Sequence, residues 1–288
     1  MQFQWDQLRA LAAAVSEGSF EGAAVALHIT ASAVSQRIKA LESQAGRVLV
    51  RRTKPVRPTE AGVPVLRLAR QLDLLTGDAV RAMSGVAAPM VRIPVVVNAD
   101  SLDTWVLPAL VDIPGVVLEL HREDQDHSTV LLRDGSVMAA ITATAQPVQG
   151  CSVARLGAMR YRVMASSSFR DRWFAGGVTA AALSEAPVVV FDRKDQLQDR
   201  YLVSRGVSPM VPPRHFVPAS AGFAQAVRLG LGWGMLPDLQ IGDGVGLVEL
   251  DEGGAEEVPL YWQQWRMESV ALTALAEAVT RAAAVGLR

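Results

Sequence analysis

The chain has 288 residues, half of them apolar, and a formal net charge of −1, enough for two domains of roughly 100–200 residues, each with its own core. Its single cysteine, Cys151, excludes an intrachain disulfide and a thiolate zinc site and reads as a small buried hydrophobe in a reducing compartment. No stretch approaches the ~20 consecutive apolar residues that span a bilayer. The opening MQFQWDQLRAL lacks the pattern of a signal peptide, so a cytoplasmic protein with no membrane partner is expected.

In chain order, Leu8, Leu11, Ala12 and Val15 follow the spacing of an amphipathic helix. Glu17-Gly18-Ser19 ends it, and Ser19 can cap a second helix through Ala23, Ala24 and Leu27. Thr30 or Ser32 can cap a third, from about Ala33 to Gln44, with Val34, Ile38 and Leu41 on its inner face and Gly46 closing it. Val48-Leu49-Val50 reads as a short strand and Lys54-Pro55 as the tip of a hairpin. Thr59 and Glu60 start a long helix towards Met83, with apolar positions Val65, Leu68, Leu72, Leu75 and Val80; Ser84-Gly85 and Pro89 make a hinge. From Val91 short apolar strands alternate with helical stretches: Ile93–Val97, a helix near Asp103–Leu110, Val116–Leu120, a helix near Ser128–Arg133, and Met138–Thr142. A second set follows: Val188–Phe191, a helix near Leu197–Val203, His215–Val217, a helix near Phe223–Leu229, Trp233–Leu236, a last strand Pro259–Trp265 and a last helix Val270–Ala284. This alternation predicts βαβ units, a mainly parallel sheet and two α/β lobes with a ligand cleft between them.

Charge is concentrated in the first part. Residues 28–57 hold Arg37, Lys39, Arg47, Arg51, Arg52, Lys54 and Arg57 against Glu42 alone, a local charge of +6 in a chain whose remainder is −7. A basic segment in a near-neutral protein fits local contact with phosphates. Small Ala23 and Ala24 let two helices approach closely, and the turn at His28–Thr30 sets their angle. The third helix then leaves Ser32, Ser35, Gln36 and Lys39 on its outer face near its start, where a recognition helix enters the major groove. Gln36 suits adenine edges and the serines several bases or phosphates, while Arg51, Arg52 and Lys54 are placed for backbone or minor-groove contact. The alternative is a plain three-helix bundle with a solvated charged face; the basic wing and the long following helix favour duplex DNA.

The segments SFEGAAVALHITASAVSQRIKALE and VLVRRTKPVRPTEAG closely resemble the winged helix-turn-helix of the LysR-type transcriptional regulators. NADSLDTW at Asn98–Trp105, EDQDH at Glu123–His127, LQD at Leu197–Asp199, GLGWGMLP at Gly230–Pro237 and LYWQQW at Leu260–Trp265 extend the resemblance over the whole chain, to the LysG/ArgP branch. That resemblance implies an α/β protein: a winged helix-turn-helix at 1–58, a linker and dimerisation helix with its hinge at 59–89, and an effector domain at 90–288. The effector domain would have lobes of periplasmic-binding-protein type, at 90–163 with 267–288 and at 164–266. It implies a regulator, no enzyme, that binds lysine or arginine between its lobes and activates a basic amino-acid exporter gene. The expected partners are double-stranded promoter DNA, RNA polymerase and further copies of the chain in a homodimer or homotetramer. No cofactor beyond the amino-acid effector is implied. The implied DNA-contact set is Thr30, Ser32, Ala33, Ser35, Gln36, Arg37, Lys39, Arg51, Arg52, Lys54 and Arg57.

For the effector, Asp100-Ser101 follows a predicted strand and opens a helix, where free N–H groups and the Ser101 hydroxyl suit an α-carboxylate. Trp105 lies one turn on and could wall a pocket. Glu123, Asp124 and Asp126 follow the next strand and read either as an acidic solvated loop or as the counter-charge for a cationic ligand; the resemblance favours the second for one or two of them. Thr142, Asp192 and Ser220 complete the expected set. Relatives of the branch tend to carry Glu where this chain has Ala221, which points to weaker binding or another effector. The glycine-rich Gly230–Gly234 precedes a strand instead of opening a helix, so it reads as a turn and not a phosphate cradle. His28, His121, His127 and His215 lack metal-site spacing. A transport-type solute-binding protein and an α/β enzyme with a DNA module are the competing classes. The basic head and the missing signal peptide weigh against the first, and the absence of a catalytic constellation against the second.

Overall fold

The computed structural model describes residues 2–84, 90–111, 113–123, 125–242 and 245–288. Its contacts divide the chain into two units. The first comprises Met1–Val97, Asp112–Ala154 and Trp262–Ala278; the second comprises Asn98–Val111, Arg155–Tyr261 and Val279–Arg288.

The first unit begins with three helices, α1 (Trp5–Ser16), α2 (Phe20–Leu27) and α3 (Ala31–Ala45). Their boundaries follow from local chemistry. The Ser19 hydroxyl accepts from the Gly22 N–H at 2.9 Å and the Thr30 hydroxyl from the Ala33 N–H at 3.1 Å, each satisfying a donor that the helix start leaves unpaired. Thr30, not Ser32, is thus the cap of α3. His28 turns the chain in the left-handed region (φ 54) between α2 and α3, and Gly46 (φ 64) closes α3 as expected. Leu8, Leu11, Ala23, Val34, Ile38 and Leu41 meet in one buried core with Leu49, Val56 and Leu66. A two-stranded wing follows, β1 (Val50–Arg51) antiparallel to β2 (Arg57–Pro58).

The long helix α4 (Gly62–Ser84) starts where the Thr59 hydroxyl accepts from the Gly62 N–H at 3.0 Å. Val65, Leu66, Ala69 and Leu74 bury, whereas Leu68, Leu75 and Val80 are exposed. The stripe read from the sequence, Val65, Leu68, Leu72 and Leu75, therefore runs along the edge of the buried face, which centres on Leu66, Ala69 and Arg70. The expected hinge at 85–89 lies outside the described residues.

Beyond it, β3 (Val91–Val97) pairs in parallel with β4 (Val116–Arg122) on one side and β5 (Ala139–Thr142) on the other, with α7 (Gln125–Arg133) between β4 and β5 in sequence. Arginines of α4 hold backbone carbonyls in the loops around these strands. Arg67 donates to Gln149 at 3.3 Å, Arg70 to Gly135, and Arg81 to Gly115 at 3.1 Å. Gly135 has φ +76, and a Cβ there would lie 2.7 Å from Arg67 Cγ, so the turn and the helix side chain need glycine at that position. Arg70 also donates to the Ser16 hydroxyl of α1 at 3.0 Å. Its burial pulls the guanidinium pKa down to about 10, against the opposite pull of Glu119 and Asp134. Arg92 of β3 pairs with Glu17 at 3.0 Å, a second polar tie between the helical head and the strands.

The second unit is built on the later part of β6 (Cys151–Ser166), whose Tyr161–Met164 pair antiparallel with β9 (Gly234–Pro237). Separately, β7 (Val188–Val190) pairs in parallel with β8 (Arg214–Phe216). Met164, Val189, Phe223, Val227, Leu236 and Ile241 form its core. Around it lie α8 (Ser167–Trp173), α9 (Ala180–Glu185), α10 (Leu197–Ser204), α11 (Ser220–Arg228) and α12 (Asp238–Ile241). The unit also contains the helical segment α5 (Ala99–Ser101), a wider π turn over Leu102–Val106, and α6 (Leu107–Ala109). Pro108 has no N–H to give to Thr104.

Two expectations need correction. Sequence pattern places no element between Thr142 and Val188, yet β6 runs for 16 residues there; Arg155, Arg160 and Arg162 interrupt its apolar alternation because the strand is only partly buried. The last strand, β10, begins at Leu247, not Pro259, its acidic first half masking it as a loop. The last helix, α13, spans Val270–Gly286.

Removing the Arg70 side chain takes the donor from the Gly135 carbonyl and the Ser16 hydroxyl and a cation from the neighbourhood of Glu119 and Asp134. Arg70→Ala is expected to lower stability by about 2–4 kcal/mol, read as a shift in urea midpoint, and Arg70→Met by less because the volume is kept.

Candidate DNA interface and effector site

The DNA-facing candidates are ordered by α3. Val34, Ile38 and Leu41 are buried, so Ser32, Gln36 and Lys39, on the opposite row, are exposed, with Ser35 and Ala33 half-buried beside them. Thr30 spends its hydroxyl on the cap. Arg37 points to α1, where it pairs with Asp6 at 3.1 Å, so it stands apart from the exposed row. Behind the wing, Glu42 accepts from the N–H groups of Leu49 (2.9 Å) and Val50 (3.4 Å), and the Thr59 hydroxyl donates to the Val48 carbonyl at 2.7 Å. These bonds use the one acid of the basic segment for structure. Arg51, Arg52, Lys54 and Arg57 remain exposed on the wing, with Arg52 stacked over the Phe20 ring at 5.2 Å. A row of short polar side chains beside a cationic wing can read base edges while gripping phosphates.

The effector candidates separate into two groups. In the second unit Asp100 is half-buried, its carboxyl accepting from the Tyr161 hydroxyl at 2.7 Å and the Ser220 hydroxyl at 2.6 Å. Gln240 of α12 donates in turn to the Ser220 hydroxyl. Burial raises the Asp100 pKa, the two hydroxyl bonds oppose it, and Asp103 adds to the rise. Asp195 is also raised by burial, against N–H bonds from Leu197 and Phe191, with Asp100 and Asp192 pushing it further. Asn98 Oδ1, Ser101 Oγ and Trp105 Nε1 are buried without a hydrogen-bond partner among the described residues. Asp192 turns inward on its own loop, accepting from the N–H groups of Lys194 (2.7 Å) and Asp195 (3.1 Å). The Ala221 N–H donates to Asp103 at 3.2 Å.

In the first unit Glu123 is exposed at the end of β4. Asp124 and the side chain of Asp126 lie outside what the structure describes. Thr142 is buried, and its hydroxyl is already engaged: it accepts from Gln263 at 3.2 Å and donates to the Thr144 carbonyl at 3.2 Å. Sequence reading missed Tyr161, Asp195 and Gln240. Tyr161 lies on the unread strand, and the other two carry no spacing signal that a one-dimensional pattern could reveal.

Residues 5–63 match the family model described as "Bacterial regulatory helix-turn-helix protein, lysR family", and residues 92–284 match "LysR substrate binding domain". The chain belongs to the LysR family of transcriptional regulators. This LysR-type regulator is 46% identical to the HTH-type transcriptional regulator LysG of Mycobacterium tuberculosis, over 99% of this chain and 95% of that one. It is 44% identical to the lysine export transcriptional regulatory protein LysG of Corynebacterium glutamicum, over 98% of each. A solved structure of full-length LysG from Corynebacterium glutamicum with bound effector Arg matches with a TM-score of 0.77 at 41% identity, covering 99% of both chains. The fold of the regulator is accordingly a winged helix-turn-helix followed by an α/β effector domain of periplasmic-binding-protein type. No described helix is long and apolar enough to cross a membrane. Among the described residues no group of three or more His, Cys, Asp and Glu side chains converges on a metal position.

Gln36→Ala is expected to cost about 1–3 kcal/mol at one base step and to change sequence preference. Arg52→Ala is expected to weaken binding about equally on all duplexes and to reduce the slope of log K against log salt by about 1. Anisotropy titrations of operator and random duplexes at several salt concentrations separate the two; unchanged specificity in Gln36→Ala rejects the assignment of the reading face.

Proposed function

We propose that the regulator binds promoter DNA and activates a gene for export of a basic amino acid when lysine or arginine occupies its effector domain. The carrying observation is Asp100, a half-buried residue whose carboxyl accepts from two hydroxyls and is bordered by acids, which suits a cationic ligand group. The names and the bound Arg of its relatives support the same ligand class. Ser32, Ser35, Gln36 and Lys39 read bases, with Thr30, Ala33 and Arg37 framing the helix, and Arg51, Arg52, Lys54 and Arg57 hold phosphates. Asp100, Ser101, Trp105, Asp192 and Ser220, with Glu123, Asp124, Asp126 and Thr142, make up the candidate effector set.

The functional domains are 1–58 for DNA, 59–89 for linkage and self-association, and 90–288 for the effector, in lobes at 90–163 with 267–288 and at 164–266. The two family matches, at 5–63 and 92–284, support this outline. Exposed Leu68 and Leu75 on α4 offer an apolar row to a second copy of the helix, the basis for a homodimer or homotetramer that then contacts RNA polymerase. The protein works without a cofactor, in the cytoplasm, and turns over no substrate. Effector binding shifts the population between arrangements with different DNA affinity. A second reading, a different small metabolite as effector, draws on Ala221, whose methyl group offers no charge where branch relatives tend to carry Glu.

A thermal-denaturation series tests the ligand class. Lysine or arginine at about 100 times its Kd should stabilise the protein by about 2.7 kcal/mol, with no effect from glutamate. No stabilisation by lysine, arginine or histidine would reject the basic amino-acid assignment and leave DNA binding intact.

A further inference from the structure

Glu17 closes α1 at the edge of the head, and Arg92 is the exposed second residue of β3, between buried Val91 and Ile93. Both belong to the first unit. Their side chains pair at 3.0 Å, with Arg92 56% and Glu17 32% exposed. Apolar packing does not account for this contact. The buried core of the head takes Val65, Leu66 and Ala69 from α4 but, among the described residues, none from β3, β4 or β5. Where α1 and α4 face the strands there is a cleft of about 170 Å³, with Ala12, Ala13 and Ala69 on one side and Pro94 and Met138 on the other. The head and α4 are therefore one packed piece, joined to the strands by polar ties. Those of Arg67, Arg70 and Arg81 start on α4 and end on backbone carbonyls. The Glu17–Arg92 tie starts on the head itself and joins two side chains.

Arg92 has a second acid in reach. Glu119 of β4 lies 3.9 Å from the same Nη1 that Glu17 meets. The other oxygen of Glu119 lies 3.2 Å from His121 Nε2, and Glu119 also acts on Arg70. One guanidinium thus stands between a carboxylate of the head and a carboxylate of the sheet, and a small displacement exchanges the two without leaving the cation unpaired. An exposed ion pair is weak, so thermal motion suffices for the exchange. The reading row takes no part: the cleft is lined by no described residue of α3 or of the wing. A docked head therefore keeps Ser32, Gln36 and Lys39 open to a duplex.

We propose that Glu17 and Arg92 form an exchangeable latch. Paired, they hold the head and α4 in one place against the strands; with Arg92 handed to Glu119, the head is loose. Both are positioning residues for DNA recognition and touch no DNA. The consequence rests on the homodimer reading above: two heads must meet one operator together, and a loose head loses more freedom on binding than a held one. Neutralising Glu17 or Arg92 opens the latch, whereas neutralising Glu119 removes the competing partner and closes it. Ion pairs that only stabilised the fold would all act in one direction.

The test combines hydrogen–deuterium exchange with operator titration on the full-length protein. Arg92→Ala should speed amide exchange in the last turn of α1 by about two- to fivefold, the range an exposed ion pair allows, with α3 unchanged. Operator affinity should fall by a similar factor. The slope of log K against log salt should change by less than about 1, since no phosphate contact is lost, and binding to a duplex with a single half-site should stay the same. Glu17→Gln should match Arg92→Ala in operator affinity, and Glu119→Gln should move exchange and affinity the other way. Glu17→Arg combined with Arg92→Glu should restore the wild-type values that Arg92→Glu alone loses. Should Glu119→Gln lower the urea midpoint through Arg70, Glu119→Asp, which keeps the charge but shortens the reach to Arg92, takes its place.

Unchanged α1 exchange in Arg92→Ala at a wild-type urea midpoint overturns the latch. So does a charge exchange that restores nothing, or a Glu119 variant that moves in the same direction as Glu17→Gln. Equal weakening on half-site and operator overturns it too, by placing the effect in the head's own DNA contacts. A monomer by sedimentation velocity removes the homodimer reading and this inference together; every other outcome leaves that reading standing.

Discussion

The burial of one guanidinium constrains the first unit. Arg70 sits in the middle of α4 and reaches two things that the chain places far apart, the Ser16 hydroxyl at the end of α1 and the Gly135 carbonyl in the turn before β5. A buried cation is tolerated only when its hydrogen bonds are made and opposite charge is near. Here Glu119 and Asp134 supply that charge. Sliding α4 by one turn, or moving the head away from the strands, would break both bonds at once and leave a desolvated charge. The helix is therefore held in register by polarity while its leucines supply the burial, and Arg67 and Arg81 extend the same arrangement to the carbonyls of Gln149 and Gly115. Arg92, paired with Glu17, ties β3 to the head independently.

The second unit holds charge of the other sign in a half-buried place. The Asp100 oxygens accept from two hydroxyls and its charged neighbours Asp103 and Asp195 are acids, a perturbed arrangement common at functional positions. The backbone around it is irregular in the same sense. Helical hydrogen bonding widens to a π turn over Leu102–Val106, and such widened turns recur at functional positions. The Thr104 hydroxyl returns to the Asp100 carbonyl at 2.5 Å, which helps to hold this uneven segment in place.

The legibility of these two regions from sequence differs for a physical reason. The head is built from local signals: caps at Ser19 and Thr30, a left-handed glycine at 46, and apolar residues at helical spacing, all within fifty residues of one another. Each could be read from neighbours in the chain, and the exposed row of Ser32, Gln36 and Lys39 follows from the burial of Val34, Ile38 and Leu41. The α4 arginines were not legible as a set, because their partners are backbone carbonyls, which every residue has. The surroundings of Asp100 were only half legible. Asp100, Ser101 and Ser220 could be marked at strand and helix ends, but Tyr161 sits on a strand whose arginines hide its alternation. Asp195 and Gln240 are brought near by folding alone. Sequence also suggested that free N–H groups at Asp100-Ser101 would take a carboxylate; it gave no sign that the Asp100 carboxyl itself would sit between the Tyr161 and Ser220 hydroxyls.

The DNA-binding wing and the Asp100 site thus follow one electrostatic rule with the sign reversed. The wing displays Arg51, Arg52, Lys54 and Arg57 to solvent, and Glu42 of α3, the one acid of the basic segment, accepts from backbone N–H groups instead of neutralising them. Its cations stay hydrated and cheap to hold until phosphates replace the counter-ions around them. Asp100, by contrast, is half-buried among hydroxyls and acids, where burial raises its pKa and makes its charge more costly than one in open solvent. An exposed charge tunes affinity through salt, whereas an enclosed one can distinguish occupied from empty by several-fold more free energy, because low-dielectric surroundings magnify the difference. Coupling between two such sites is limited by how differently each ligand interacts with the available arrangements. A half-buried carboxyl therefore responds more strongly to a neighbouring charge than the exposed wing does.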